Sequence, residues 1–220
     1  MQVVGLEVST SSAKAILFSQ SGEVIGECTQ ELPTSVSGVT WQEPEGIFSV
    51  ALQCLRGVTR YAKGPIYGIG LAGIWHSLLL LDEARKPLEP IRTWADLSLA
   101  NCLQDIKQDE NVTKDFYQKS GCTVHGMYPL WKLYGLKKAQ SPLFSKTRYV
   151  SSQIEHLFER FTGDVRVSAC TASGSGFLNI HTATWDQELA DFAGIRLDML
   201  APLAEADYWA PLSAEVASLT

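Results

Sequence analysis

The first thirty residues constrain the fold more than any other part of the chain, because short apolar runs follow one another with short, mainly polar segments between them. The runs cover residues 3–6, 15–18 and 24–25, and Ser21 and Gly22 separate the second from the third. Runs of this kind, joined by a tight turn, predict a strand, a short polar loop and a hairpin. We therefore expect the chain to begin with part of a β-sheet.

A helix and two further strands follow this hairpin. Apolar residues recur at helical spacing over residues 47–61, and Pro44 stands where the first helical turn begins. Residues 66–71 and 78–81 are then strand-like. Strands, a helix and more strands predict an α/β fold with a mixed central sheet and a crossover helix.

The character of the chain changes at Leu97. The segments that favour helix are 97–106, 112–120, 130–139 and 152–161. They predict a helical insert at about residues 97–165 that packs against the first sheet. In the last third, residues 177–180 indicate a short strand, residues 186–192 indicate a helix, and residues 202–211 show little periodicity.

Composition excludes several classes of function. A chain of 220 residues with 45% hydrophobic content can bury a substantial core, and its net charge of −6 argues against a nucleic-acid partner. The longest apolar run, residues 78–81, is too short to span a membrane. Five scattered cysteines without metal-ligand spacing indicate reduced thiols, so we expect a cytoplasmic protein. A homodimer stays open.

Residues 5–15 place an acid at the end of a strand, then four small hydroxyl residues, then a base. Glu7 can hold Mg²⁺ through water, Thr10, Ser11 and Ser12 leave their backbone N–H groups accessible to phosphate oxygens, and Lys14 adds a positive charge. The alternative is an ordinary polar turn, which these residues would also form.

Two later segments pair an indole ring with a polar group. Trp75 offers a flat apolar surface beside His76, which can bond a sugar hydroxyl or, if protonated, a carboxylate. Trp94 stands two residues before Asp96, an anionic acceptor for hydroxyl groups. These pairs suit polyol recognition. The alternative for the first pair is a core aromatic beside a satisfied histidine, and for the second a surface pair without function.

These segments resemble the N-terminal domain of FGGY carbohydrate kinases. Residues 5–15 (GLEVSTSSAKA) are similar to the phosphate loop of that family, residues 70–77 (GLAGIWHS) to its sugar segment, and residues 87–96 (PLEPIRTWAD) to the W-A-D form in gluconate kinases. Residues 117–132 (YQKSGCTVHGMYPLWK) resemble a further gluconate-kinase pattern, with xylulose kinases next in likeness. The resemblance runs to the end of the chain and implies an actin-like ATPase (ribonuclease H-like) fold.

The resemblance also implies a reaction and a set of roles. The reaction is transfer of the ATP γ-phosphoryl group, with Mg²⁺, to a terminal hydroxyl of a sugar or sugar acid, gluconate being favoured. Glu7 would lie near the metal, and Thr10, Ser11, Ser12 and Lys14 near the phosphates. The sugar-facing residues would be Trp75, His76, Trp94, Asp96, His125 and Met127. The general base and the ATP-binding domain are expected beyond Thr220, so this part alone would be inactive.

Several departures from the family pattern keep other interpretations open. Glu7 replaces an Asp, Ser9 replaces a Gly that permits close backbone approach, Gln153 replaces a Lys and Ser168 an Asp. The changes at Glu7, Ser9 and Ser168 favour a non-catalytic sugar-binding or interaction protein derived from the family. An unrelated actin-fold ATPase is a third interpretation, and Met127 could simply pack in a loop between helices.

Overall fold

The computed structural model describes residues 1–219, which contain both strands and helices. The strands are β1 (Gln2–Val8), β2 (Ser12–Ser19), β3 (Val24–Glu31), β4 (Trp41–Gln42), β5 (Ile66–Gly73), β6 (Leu79–Leu81), β7 (Ile91–Arg92), β8 (Tyr149–Ser151), β9 (Val167–Ser168), β10 (Leu178–Asn179), β11 (Thr184–Trp185) and β12 (Leu203–Ala204). The helices are α1 (Pro44–Thr59), α2 (Gln104–Gln108), α3 (Glu110–Ser120), α4 (Pro129–Lys138), α5 (Pro142–Lys146), α6 (Gln153–Thr162), α7 (Ala169–Ser173), α8 (Gln187–Ala193) and α9 (Ala214–Leu219), with 3₁₀ turns at Ala100–Leu103 and Leu197–Met199.

The largest sheet has the strand order β3-β2-β1-β5. Strands β1, β2 and β3 are antiparallel neighbours, whereas β5 is parallel to β1. A parallel neighbour requires a crossover connection, and α1 lies in that connection between β3 and β5. The predicted mixed sheet with a crossover helix is confirmed.

One face of this sheet packs against α1. Val4, Leu6 and Val8 alternate with more exposed residues along β1 and are buried with Ile47 and Leu55 of the helix. The helix begins at Pro44. The N–H groups of a first turn have no acceptor within the helix, so a proline, which lacks an N–H, loses no hydrogen bond at this position. The buried face of β1 and the apolar face of α1 therefore pack against each other in one core.

Strand β6 divides the interior into two cores. Leu79 and Leu81 belong to the core of the large sheet, whereas Leu78 and Leu80 belong to a second core formed mainly by the later helices. Successive side chains of a strand point to opposite faces, so a short strand that is apolar throughout can serve both cores. This arrangement fixes the later helices against the sheet.

Helix α6 returns the chain to the sheet. The Ser152 side chain accepts a hydrogen bond from the N–H of Glu155 at its start, and Gly163 ends it in the left-handed region (φ 78°). Phe161 packs against Phe48 of α1, with ring centroids 5.2 Å apart. The first residues of α6 are thereby brought beside the end of β5.

The structure corrects the predicted helix at residues 97–106. The Ser98 N–H bonds to a carboxylate oxygen of Asp96 at 3.0 Å, and this local turn keeps Leu97 out of the helix. Helical structure begins with the 3₁₀ turn at Ala100 and continues into α2. The pattern also missed α5, β8 and, within residues 202–211, β12. Within residues 1–219, no helix has the length and apolar character required to cross a membrane.

Candidate active site

The hydroxyl of Ser9 closes the turn between β1 and β2. Its Oγ accepts hydrogen bonds from the backbone N–H groups of Ser11 (3.3 Å) and Ser12 (3.1 Å). The Thr10 carbonyl oxygen accepts a bond from the Ser37 hydroxyl at 2.6 Å. Backbone N–H groups are the donors that phosphate oxygens use in such turns. A phosphate bound to these amides would therefore have to replace the Ser9 hydroxyl.

Glu7 and Lys14 are direct partners across β1 and β2, next to this turn. The Glu7 side chain is exposed, whereas the Lys14 ammonium lies 3.0 Å from the Glu27 carboxylate on β3. The described residues contain no group of three or more His, Cys, Asp or Glu side chains that could hold a metal ion. Glu7 fits Mg²⁺ only as one carboxylate among waters and phosphate oxygens, a common arrangement for this ion.

His76 follows β5 in a strained backbone conformation, with φ of 57°. Its Nδ1 lies 2.7 Å from the Gly174 carbonyl oxygen, which can only accept, so Nδ1 carries the hydrogen and Nε2 is an acceptor in the neutral ring. Burial lowers the pKa of His76; the Gly174 carbonyl opposes this shift and the charge of Lys132 adds to it. A neutral His76 is suited to a sugar hydroxyl rather than to a carboxylate.

Aromatic rings surround His76. Its ring packs edge-on against Tyr128 with centroids 4.8 Å apart, and the Trp75 ring lies at 5.6 Å. Trp75 and Trp94 are each 48% exposed. The cavity beside His76 measures about 30 Å³, room for about one or two water molecules. A sugar would therefore have to bind on the open surface, where both indole rings are accessible.

The carboxylate of Asp96 is fixed by two donors. One oxygen lies 2.8 Å from Nη1 of Arg92, and the other accepts the Ser98 N–H at 3.0 Å. Arg92 also makes a bidentate pair with Glu89 at 2.7 and 2.8 Å. Burial raises the pKa of Asp96, but the hydrogen bonds from Ser98 and Arg92 outweigh it and hold the pKa below its usual value. Asp96 is thus an ionised acceptor with lone pairs left for a hydroxyl.

His125 and Met127 lie in the loop before α4, and both are partly buried. The Met127 N–H donates to Nδ1 of His125 at 3.1 Å. Nδ1 therefore carries a lone pair, and in the neutral ring the hydrogen is on Nε2, which can donate. The two histidines consequently offer opposite functions to a polyol, an acceptor at His76 and a donor at His125.

Lys132 of α4 connects the last two loops. It is only 1% exposed, and its ammonium donates to the carbonyl oxygens of Asp96 (3.0 Å), Gly126 (2.6 Å) and Met127 (2.9 Å). Burial lowers the pKa of Lys132 to about 8; the charge of Asp96 opposes this shift and that of Arg92 adds to it. Lys132 is protonated at neutral pH. Lys132 is the last residue of the segment 117–132 that resembles the family pattern, but sequence reasoning gave it no role.

A chain of buried amides connects the β1–β2 turn to the end of β5. Nε2 of Gln42 donates to the Ser9 carbonyl oxygen, Nε2 of Gln153 donates to Oε1 of Gln42, and the Ile74 N–H donates to Oε1 of Gln153, each at 2.9 Å. The Gln153 N–H also donates to the Ser77 hydroxyl at 3.0 Å. Both glutamines are completely buried. The hydroxyl turn and the segment that contains the first histidine thus belong to one network.

The structure brings most of the predicted residues together in two places. Contacts through Tyr128 and Lys132 connect Trp75, His76, Asp96, His125 and Met127. Trp94 lies two residues from this group with an exposed ring. Glu7, Thr10, Ser11 and Ser12 lie at the hydroxyl turn, but the charge of Lys14 is directed to Glu27. Four further residues bond to these segments and were not assigned to the candidate site from the sequence: Arg92, Lys132, Gln42 and Gln153.

The fold has close counterparts among solved structures. The crystal structure of gluconate kinase from Lactobacillus acidophilus matches 99% of this chain with a TM-score of 0.92 and 27% identity, over 45% of its own length. The ligand-bound xylulose kinase from the same organism matches 99% of this chain with the same score and identity. The sheet, the crossover helix and these matches define an α/β domain with the actin-like ATPase fold, which confirms the predicted fold class.

Sequence comparison then identifies the family. The sequence profile of the FGGY family of carbohydrate kinases, N-terminal domain, matches residues 2–218. The chain belongs to this family. It is 28% identical over 204 residues to the gluconokinase of Bacillus subtilis and 27% identical over 208 residues to the xylulose kinase of that organism. The chain spans about two fifths of the length of these relatives (40% and 41%).

Proposed function

We propose that this chain is the sugar-binding part of an ATP-dependent kinase that phosphorylates a terminal hydroxyl of a sugar or sugar acid, with gluconate as the favoured substrate. The observation that carries the proposal is the group of fixed hydroxyl partners formed by His76, Asp96 and His125 beside two accessible indole rings. A polyol needs donors, acceptors and an apolar surface, and this group supplies all of them. Gluconate is favoured by the likeness to gluconokinases.

The proposal divides the reaction between this chain and the rest of a longer protein. Residues 1–220 would form the N-terminal domain, with a helical insert at about 97–165. ATP would be held mainly by a second domain outside this sequence, which would also supply the general base. In this chain Glu7 would face Mg²⁺ through water, and Thr10, Ser11, Ser12 and Lys14 would face the phosphates. Mg²⁺ would neutralise phosphate charge during transfer.

A second candidate function is sugar binding without phosphoryl transfer. It is favoured by one observation, the Ser9 hydroxyl that already occupies the N–H groups of Ser11 and Ser12. A turn with satisfied amides offers less to a phosphate than a turn with a glycine at this position. The same sugar site serves both functions, so the two candidates differ only at the turn.

Calorimetry of this chain against gluconate, xylulose and glycerol, with ATP titrated separately, tests the proposal. We expect saturable binding of gluconate in the millimolar range or tighter, and weaker binding of the other two. Trp75→Ala should weaken binding at least about tenfold, a loss of about 1.4 kcal/mol. Tyr67→Ala, which removes another exposed aromatic ring, should not. Absence of binding of every sugar would refute the proposal, and tighter binding of xylulose would correct the substrate.

A further inference from the structure

Lys132 is a buried charge whose partners lie in two separate loops. One acceptor is the Asp96 carbonyl oxygen, 36 residues away along the chain, and the others are those of Gly126 and Met127, 6 and 5 residues away. Both loops carry residues of the proposed sugar site: Asp96 in one, His125 and Met127 in the other. A single ammonium thus connects two parts of that site.

We propose that Lys132 is the positioning residue of the sugar site, holding the loop of residues 94–98 and the loop of residues 125–127 at a fixed separation so that their side chains meet one sugar. The proposal rests on the function proposed above. It assigns Lys132 no contact with the sugar, because all three of its N–H groups are used by the two loops.

The chemistry of the ammonium group suits this role. Three donors on a compact head match three carbonyl acceptors, whereas the planar guanidinium of arginine would not. A buried charge is costly unless it is fully hydrogen-bonded, so a lysine whose only task was to fill space would be a poor choice here. An apolar side chain of similar length would leave three carbonyl oxygens without this donor.

The loops themselves are shaped for close approach. A Cβ atom on Gly126 would lie 2.9 Å from Cβ of Ala100 and 3.5 Å from Cδ2 of Leu97, so the absence of a side chain lets the second loop reach the segment that follows Asp96. Gly126 therefore permits the close contact between the two loops, and the Lys132 ammonium sets the distance between them.

Hydrogen–deuterium exchange of the ligand-free chain directly tests the Lys132 clamp, that is, the three hydrogen bonds by which the Lys132 ammonium joins the two loops. Lys132→Met should accelerate amide exchange in both loops, residues 94–98 and 125–127, by about tenfold or more. Lys138→Met, at the exposed end of the same helix, should leave both loops unchanged. Leu55→Ala, in the core beneath the large sheet, controls for general destabilisation and should also spare the loops. Unchanged exchange at either loop in folded Lys132→Met would overturn the proposal.

Sugar affinity is measured on the same variants. Lys132→Met should raise the gluconate Kd at least about tenfold while Leu55→Ala does not, a contrast that loss of stability alone would not produce. Equal affinities in wild type and Lys132→Met would overturn the positioning role. If the wild type binds no sugar, the proposed function fails, and the exchange result still decides whether the clamp exists.

If Lys132→Met does not fold, ¹⁵N-lysine NMR of the wild-type chain decides the matter. An ammonium enclosed by three carbonyl oxygens exchanges its hydrogens slowly and should give one sharp signal at neutral pH, which shifts when gluconate is added. Absence of a protected ammonium signal would show that the clamp is not formed in solution.

Discussion

The buried amide chain predicts a large effect for Gln42→Met, a change that keeps the length of the side chain and removes its polar atoms. Two hydrogen bonds would be lost, one to the Ser9 carbonyl oxygen and one from Nε2 of Gln153, each 2.9 Å long. The Gln153 amide left behind is completely buried, whereas the Ser9 carbonyl oxygen belongs to a partly buried residue. An unsatisfied buried group costs about 1–3 kcal/mol and a partly buried one costs less, so the free energy of unfolding should fall by about 1–4 kcal/mol.

Urea denaturation followed by tryptophan fluorescence measures this loss. The midpoint should move while the m-value stays constant, because the folded and unfolded surfaces change little. Gln104→Met, an exposed glutamine at the start of α2, is the matched control and should change stability by less than about 0.5 kcal/mol. A double variant with Gln153→Met should lose less than the sum of the two single losses, by about 1 kcal/mol or more, since the variants share a bond.

Two results would refute this reasoning. A loss below about 1 kcal/mol for Gln42→Met would mean that the vacated groups find other partners or water. Strict additivity in the double variant would mean that Gln42 and Gln153 do not interact in solution, and that the hydroxyl turn and the end of β5 are not energetically connected.

Two further predictions concern single side chains. Burial raises the pKa of Glu155 to about 7 from 4.5, so the folded state holds the proton more tightly and stability falls as pH rises from about 4.5 to about 7. Glu155→Gln should therefore gain about 1–3 kcal/mol relative to wild type across that range in denaturant titrations; a flat difference would contradict the burial. Ser9→Gly removes the hydroxyl that occupies two amides, so sulfate should raise the Tm of this variant more than that of wild type, and equal responses would argue against a blocked turn.

Local patterns predicted the parts of the fold that local physics determines. The apolar run at residues 3–6 predicted strand β1, and helical spacing predicted α1 and α6. Most of the two-residue strands were missed, β10 being the exception, because pairing with other segments rather than propensity creates them. Leu97 was placed in a helix because its spacing fits one. In the structure the Asp96 carboxylate accepts the N–H of Ser98, and this local turn replaces the first helical turn.

The candidate site shows the same difference between features that the local sequence indicates and features that depend on contacts between distant segments. His76 and Asp96 were assigned to the candidate site from their hydrogen-bonding chemistry and the family resemblance, and this assignment stays a prediction. Gln42 and Gln153 were not, because they are 111 residues apart and only the fold brings their amides together. Lys132 was not, because a lysine on a helix is usually solvated and its burial depends on carbonyl groups of two loops.

The two halves of the site differ in how far they are prepared for a ligand. On the side proposed to bind sugar, His76 and His125 have fixed and opposite hydrogen-bonding functions, and the carboxylate of Asp96 is held in place. Groups held in advance lose little entropy when a ligand binds. At the turn, Ser9 must give up its own bonds before phosphate can use the amides. Because Gln42 bonds to Ser9, any opening of that turn also acts on the segment of His76, so phosphate and sugar should influence each other's binding through the buried amides.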